Sequence, residues 1–224
     1  MNKNTPVGHV VVEALLGCGA LKINVEEPFT LRSGRPSPVY FDCRRLIGDP
    51  VAMSLVTGLF HSYVVSTLKR SAACRLRLQP PDVILGGESA GIPFAVRLSA
   101  EMRLPCGYVR KTKKSYGTRG GIEGVSVAGL NTLLVEDLIT DGGSKLEFIE
   151  SIKEAGGSLD LCFVVFDRQQ GGEATLREHG VKLVSLANID SFIESGLAPK
   201  EVLDYFDDPD EWAKKFREEH PDRV

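Results

Sequence analysis

The chain has 224 residues, 42% of them hydrophobic, which suits one well-packed core and is too short for two full α/β units. A net charge of -3 and a pI near 5.9 exclude wholesale binding to nucleic acid or anionic membrane, so any basic function must be local. Glu13 interrupts the N-terminal apolar run and no uncharged stretch of transmembrane length follows, so the expected setting is soluble and cytoplasmic.

In chain order, Gly8 to Ala20 reads as a short helix stopped by glycines, and Gly17-Cys18-Gly19 lacks the third glycine of a dinucleotide fingerprint. Phe29-Thr-Leu and the strand-like Val39 to Cys43 flank a turn-rich Ser33 to Pro38, making a small β-rich flap with positive charges at Arg32, Arg35, Arg44 and Arg45. Asp49-Pro50 opens a helix to Arg70, with Leu55, Leu59, Tyr63 and Leu68 marking an apolar face, and Ser71 to Pro81 reads as an irregular connection. Asp82 to Leu85 is a strand, Gly86 to Gly91 a glycine-bearing turn, and Pro93 to Met102 a helix. Cys106 to Val109 is the next strand and runs into a polar stretch from Arg110 to Gly124. Leu133, Leu134 and Val135 form a buried strand that stops at Glu136 and Asp137, before a helix with Phe148, Ile149, Ile152 and Ala155 on one face and Gly156-Gly157 at its end.

Leu159 to Phe166 and Val181 to Ala187 add two more apolar runs around a short helix from Glu173 to His179. This alternation predicts an α/β fold, a mostly parallel sheet flanked by helices. The expected organisation is one unit: helix and hood over residues 1–48, core over 49–190, helical tail over 191–224. In the tail, Pro199 to Phe206 and Asp208 to Glu219 read as helices, the second with Asp208 as N-cap and Glu211 completing a capping box. Five cysteines, Cys18, Cys43, Cys74, Cys106 and Cys162, form no C-x-x-C pair and read as buried reduced thiols.

In an open parallel sheet ligands collect beyond the carboxyl ends of the strands, which singles out three turns. Gly86 to Gly91 allows close backbone approach to a ligand. The Glu136-Asp137 pair before Thr140-Asp141-Gly142-Gly143-Ser144 suits a sugar phosphate, with carboxylates for ribose hydroxyls and backbone N–H groups for phosphate. The basic run Arg110, Lys111, Lys113, Lys114 and Arg119 suits a lid over polyphosphate. No Walker order is present, and His9, His61, His179 and His220 all lie outside these turns, which argues against a histidine triad or zinc cluster.

Val135 to Ser144 resembles the phosphoribosyl pyrophosphate (PRPP) motif of type I phosphoribosyltransferases. Ser33 to Phe41, Arg110-Lys111-x-x-Lys114 and Phe166-Asp167-Arg168-Gln169 are similar to the hood, flexible loop and carboxylate-reading segment of the orotate phosphoribosyltransferases, so the resemblance to that family runs from about Phe29 to Arg168.

The resemblance implies a type I phosphoribosyltransferase fold with a small N-terminal β-rich hood, and transfer of ribose 5-phosphate from PRPP to orotate to give orotidine 5'-phosphate in pyrimidine biosynthesis. It implies catalytic roles for Lys114, Lys111, Arg110 and Asp137. PRPP contacts fall to Arg32, Arg110, Lys111, Lys113, Lys114, Glu136, Asp137, Thr140, Asp141, Gly142, Gly143 and Ser144, and orotate contacts to Tyr40, Phe41, Thr140 and Arg168. It further implies a homodimer whose 110–124 loop reaches the neighbouring site, and Mg²⁺ held by PRPP and water rather than by side chains. The chain departs from better-known members at Tyr116, where many have histidine, at Ala90, where some have a basic residue, and at Arg32, often lysine, which shifts the expected pyrophosphate contacts toward Lys113 or Arg119. Two other readings stay open: a phosphoribosyltransferase for another base, and a non-catalytic nucleotide sensor of the same fold.

Overall fold

The structure, a computed structural model, describes residues 6–31, 34–74, 79–111 and 121–220. Its centre is a six-stranded sheet in the order β10-β9-β8-β5-β6-β7. The strands are β5 (Val83–Gly87), β6 (Cys106–Val109), β7 (Ile122–Glu123), β8 (Asn131–Ile139), β9 (Ser158–Asp167) and β10 (Lys182–Asn188). All neighbouring pairs are parallel except β7 against β6, in which Val109 faces Ile122. The two-residue β7 lies inside the polar 110–124 stretch, where no apolar run announces it.

Two apolar layers cover the sheet. On one face, Val56 and Phe60 of α2 (Pro50–Cys74), Phe94 of α3 (Gly91–Met102) and Val11 and Leu15 of α1 (Pro6–Gly17) pack against Leu133, Val135 and Phe163. On the other, Phe148, Ile149 and Ile152 of α4 (Gly143–Glu154) and Leu176 of α5 (Gly172–Glu178) pack against Leu85, Leu134 and Val164. Each such fully buried side chain contributes roughly 1.5–3 kcal/mol of apolar burial. Asp49 accepts from the N–H groups of Val51 and Ala52 at 3.0 Å each, so α2 begins at Pro50. Its buried stripe is Met53, Val56, Phe60 and Val64, one step round from the expected Leu55, Leu59 and Tyr63, which are only half-buried; the Leu68 side chain is outside the description. The interior prefers the stripe that stacks Phe60 on Phe163, with ring centroids 4.8 Å apart. α2 also continues to Cys74, into the stretch read as irregular; residues 75–78 of that stretch are outside the description.

The hood consists of two short antiparallel ribbons. β1 (Leu21–Ile23) pairs with β4 (Val39–Phe41), and β2 (Phe29–Thr30) pairs with β3 (Pro36–Ser37). Pro36 thus stands in a short ribbon where the sequence suggests only a turn; a two-stranded ribbon is all edge, which proline tolerates. A 3-10 helix (Cys43–Gly48) leads from the hood to α2.

After β10 come α6 (Ile189–Glu194), α7 (Lys200–Asp207) and α8 (Pro209–Glu219). α6 has no separate signal in the sequence beyond Asn188, whose side chain caps it through the Ser191 N–H at 2.8 Å. Asp208 accepts from the N–H groups of Asp210 and Glu211, but its own N–H donates to the Asp204 carbonyl at 3.3 Å. That leaves only the forward half of the expected capping box. Cys43 and Cys162 are buried free thiols, Cys18 and Cys106 are half-buried free thiols, and the Cys74 side chain is outside the description. Among the described residues no helix is long and apolar enough to cross a membrane.

Candidate active site

β8 does not stop at the acidic pair; it runs through Glu136 and Asp137 to Ile139. The expected strand end is displaced because Glu136 is neutralised in place. Its Oε2 accepts from Lys145 Nζ of α4 at 2.5 Å, with both side chains less than a tenth exposed. A carboxylate paired in this way can remain in a strand that an isolated one would terminate.

Successive strand residues alternate faces, so adjacent carboxylates cannot do the same job. Glu136 turns toward α4, while Asp137 stands near Arg44 and Cys43 of the 3-10 helix. The Glu136 slot is shaped by glycine: a Cβ at Gly87 or Gly91 would overlap its carboxylate. Among the described residues, Oε1 of Glu136 is buried with no hydrogen-bond partner. Burial pushes the Glu136 carboxyl up, with Lys145 opposing. Burial pushes Asp137 up as well, again opposed first by Lys145.

Beyond the strand, Asp141 Oδ1 accepts from the Gly143 N–H at 3.1 Å and from the Thr140 hydroxyl at 3.3 Å, which holds its carboxyl below the usual range. Gly142, at φ 87°, is the N-cap of α4. The first turn of any helix leaves N–H groups without helical acceptors, and here that turn opens beside the acidic pair.

A cavity of about 430 Å³ joins these groups to the hood. Tyr40, Phe41, Lys111, Glu136, Asp137, Thr140, Gly142, Ser144 and Arg168 all line it. Asp141 and Gly143 belong to the same turn without lining the cavity. Arg110 is also absent from the lining: its Nη1 lies 3.9 Å from Glu123 of β7. Arg32, Lys113, Lys114, Tyr116 and Arg119 are outside the described residues.

Lys145, Asp42, Arg44, Glu88 and Ser89 line the cavity too and were not singled out as site residues. Lys145 had a signal, a cation directly after the glycine nest, and Glu88-Ser89 sat in the first candidate turn. Glu88 fastens the root of the basic loop, since its Oε2 accepts from the Lys111 N–H at 3.0 Å.

At the hood end, the Arg168 guanidinium lies 5.8 Å from the centre of the Phe41 ring, and that ring stacks on Phe166 at 4.4 Å. Burial pulls Arg168 below its ordinary value, opposed by the nearby phenols of Tyr205 and Tyr40. The cavity therefore presents a flat aromatic wall with a guanidinium at one end, and carboxylates with a backbone nest at the other. That combination can seat a planar acid beside a sugar phosphate.

The chain is similar to known proteins in sequence and fold. Residues 68–195 match the family model described as phosphoribosyl transferase domain. The chain is 42% identical over 179 residues to the orotate phosphoribosyltransferase of a Ruegeria species, covering 79% of this chain and 76% of that protein. It is 43% identical over 171 residues to that of Dinoroseobacter shibae, covering 75% and 72%. In three dimensions it is similar to the crystal structure of orotate phosphoribosyltransferase from Aeropyrum pernix, with a TM-score of 0.66 at 28% identity, covering 84% of this chain and 99% of the other.

Proposed function

The chain belongs to the orotate phosphoribosyltransferase family, and from that premise we propose that the 430 Å³ cavity binds PRPP and orotate together and joins them. In the reaction the C1–O bond to pyrophosphate breaks with its electron pair on the leaving group, and a ring nitrogen of orotate forms the new bond to C1, its proton passing to the departing pyrophosphate or to water. The products are orotidine 5'-phosphate and pyrophosphate. One observation carries the assignment of ends: Arg168 and Phe41 share a cavity with Asp137 and the Thr140 to Ser144 turn. A guanidinium fixed against an aromatic face suits a planar ring bearing a carboxylate.

The roles then divide. Asp137 accepts from ribose hydroxyls, and the start of α4 with Ser144 and Thr140 takes the 5'-phosphate. Glu136, paired with Lys145 and packed into the slot left by Gly87 and Gly91, holds the strand and nest in register beneath the sugar. Lys111, joined by Lys113 and Lys114 from the loop of a second copy of the chain, meets the charge that develops on pyrophosphate, aided by the N-terminus of α3 behind Ser89 and Ala90. Arg110, turned toward Glu123, reaches a pyrophosphate only if this contact opens.

Among the described residues no group of three or more His, Cys, Asp or Glu side chains could hold a metal ion. The cavity's carboxylates nonetheless fit a hydrated Mg²⁺ brought in with PRPP, and Asp137 and Glu88 would be the residues to accept from its waters. Bound there, it would offset negative charge on the leaving group. We also propose a cytoplasmic homodimer in which the 110–124 loop serves the partner's site. Mixing Lys114→Ala with Asp137→Asn subunits should then restore activity that neither variant has alone.

The direct test of the reaction is the fall in orotate absorbance when protein, Mg²⁺ and PRPP are mixed. Binding of both substrates without that fall would return the chain to the sensor reading, and pyrophosphate release only with another base would reassign the substrate.

A further inference from the structure

The C-terminal helices are tied to the base end of the cavity by two separate connections. The first is aromatic and continuous. Phe41 meets Phe192 edge-on at 6.5 Å, Phe192 meets Phe206 edge-on at 6.2 Å, and Phe206 lies 5.5 Å from Tyr205. Tyr205 then meets Trp212 edge-on at 5.5 Å. The ring beneath the Arg168 guanidinium is thus packed in series with rings on α6, α7 and α8.

The second connection is polar and reaches the arm of the hood. Arg35, directly before β3, donates from Nη1 to Asp210 Oδ1 at 2.8 Å, and Arg217 Nη2 donates to the Gly34 carbonyl at 3.3 Å. The Asp210 carboxylate, and more weakly the Tyr205 phenol, hold the Arg35 guanidinium above its ordinary value. Behind Phe41 and Arg168 lies a second cavity, about 370 Å³, lined by Arg35, Arg168, Tyr205 and Phe206 among others. Tyr205 is the tail residue placed beside both guanidinium groups, and it is only 4% exposed.

A tail that merely covered the core would need the rings but not the Arg35 contacts. We infer that α7 and α8 form a positioning element of the base pocket, in which Tyr205 and Asp210 hold Arg35 and the β3–β4 arm while Phe206 and Phe192 back the Phe41 ring that Arg168 overlies. The inference rests on the assignment of that pocket to orotate. The side chain of Asp210 is 87% exposed, so its ion pair with Arg35 contributes little alone. Tyr205 adds a weaker but buried contact to the same guanidinium.

The test compares Tyr205→Phe, which keeps every ring contact, with the Tyr205→Phe/Asp210→Ala double variant in the full chain. The KM for orotate should rise about threefold in the first and about tenfold in the second, the range of one ordinary hydrogen bond plus one exposed pair. The kcat and the KM for PRPP should stay within about twofold, and the Tm within about 2 °C, as fits contacts that place the hood rather than hold the core. Asp210→Glu, retained with Tyr205→Phe, should bring the KM back to the single-variant value. An unchanged KM for orotate in the double variant, or an equal rise for both substrates, overturns the inference. If wild-type protein does not turn over orotate, the base assignment fails, and the tail's role is then read without substrate from amide hydrogen exchange at Ser37, Val39, Tyr40 and Phe41. Faster exchange in the double variant supports the positioning role, and unchanged exchange ends it.

Discussion

The two ends of the cavity are built in opposite ways. The end proposed for ribose phosphate comes mainly from one run of chain, Glu136 to Lys145, in which a strand, a turn and a helix start fix each other through backbone geometry and one buried ion pair. The base end is collected from Tyr40 and Phe41 of the hood and Arg168 after β9, with α6, α7 and α8 behind them. The first end is held by covalent proximity and should tolerate change elsewhere in the molecule. The second depends on packing between distant segments, so its geometry can be altered from far away.

The largest effect expected from disturbing this division is on stability at the contiguous end. Lys145→Met leaves Glu136 as a buried, unpaired carboxylate and should cost about 3–5 kcal/mol by denaturant titration. Glu136→Gln combined with Lys145→Met should recover most of that loss, which a simple packing defect at residue 145 would not allow. Asp137→Asn should behave in the opposite manner, lowering kcat/KM by about a hundredfold to a thousandfold with little change in Tm, because a half-buried carboxylate is replaced by an isostere. Equal effects of Asp137→Asn and Glu136→Gln on both readouts would erase the distinction drawn between the two acids.

At the assembled end the expected change is smaller and confined to one substrate. Arg168→Lys, which loses the planar fork, should raise the KM for orotate about tenfold to a hundredfold and leave that for PRPP in place. The smallest effect near neutral pH is the titration of the acidic pair. Burial raises the folded-state values of Glu136 and Asp137 above their ordinary ones. Between the ordinary and raised values the folded protein holds more protons than the unfolded, so these groups' contribution to stability falls as pH rises through that window and is level above it. On the proposed roles activity runs the other way, since they call for ionised acids. The acid limb of log kcat/KM should therefore break above the usual carboxylate range of about 4, and Asp137→Asn should alter that limb.

The same contrast explains what could be read from the chain beforehand. The order of strands and helices, the nest after β8 and the caps at Asp49 and Asp208 are local, and local chemistry predicts them. The continuation of β8 through Glu136 was not legible, because it depends on a lysine nine residues ahead meeting the carboxylate in a slot left by Gly87 and Gly91. Likewise nothing in Arg110-Lys111 distinguishes a side chain turned to Glu123 from one facing the cavity. Arg35 is one of four cations in the flap, and its pairing with Asp210, 175 residues later in the chain, has no local signal.

Cys162 lies wholly buried in the apolar layer beneath the Glu136–Lys145 pair, where burial pushes its thiol up to about 12. A sulfhydryl so placed is closed to alkylating reagents for as long as β9 keeps its neighbours. Its labelling therefore serves as a clock: the rate at which Cys162 becomes modified in native buffer times the opening of the central sheet itself, separately from the exposure of the half-buried Cys18 and Cys106 nearer the surface.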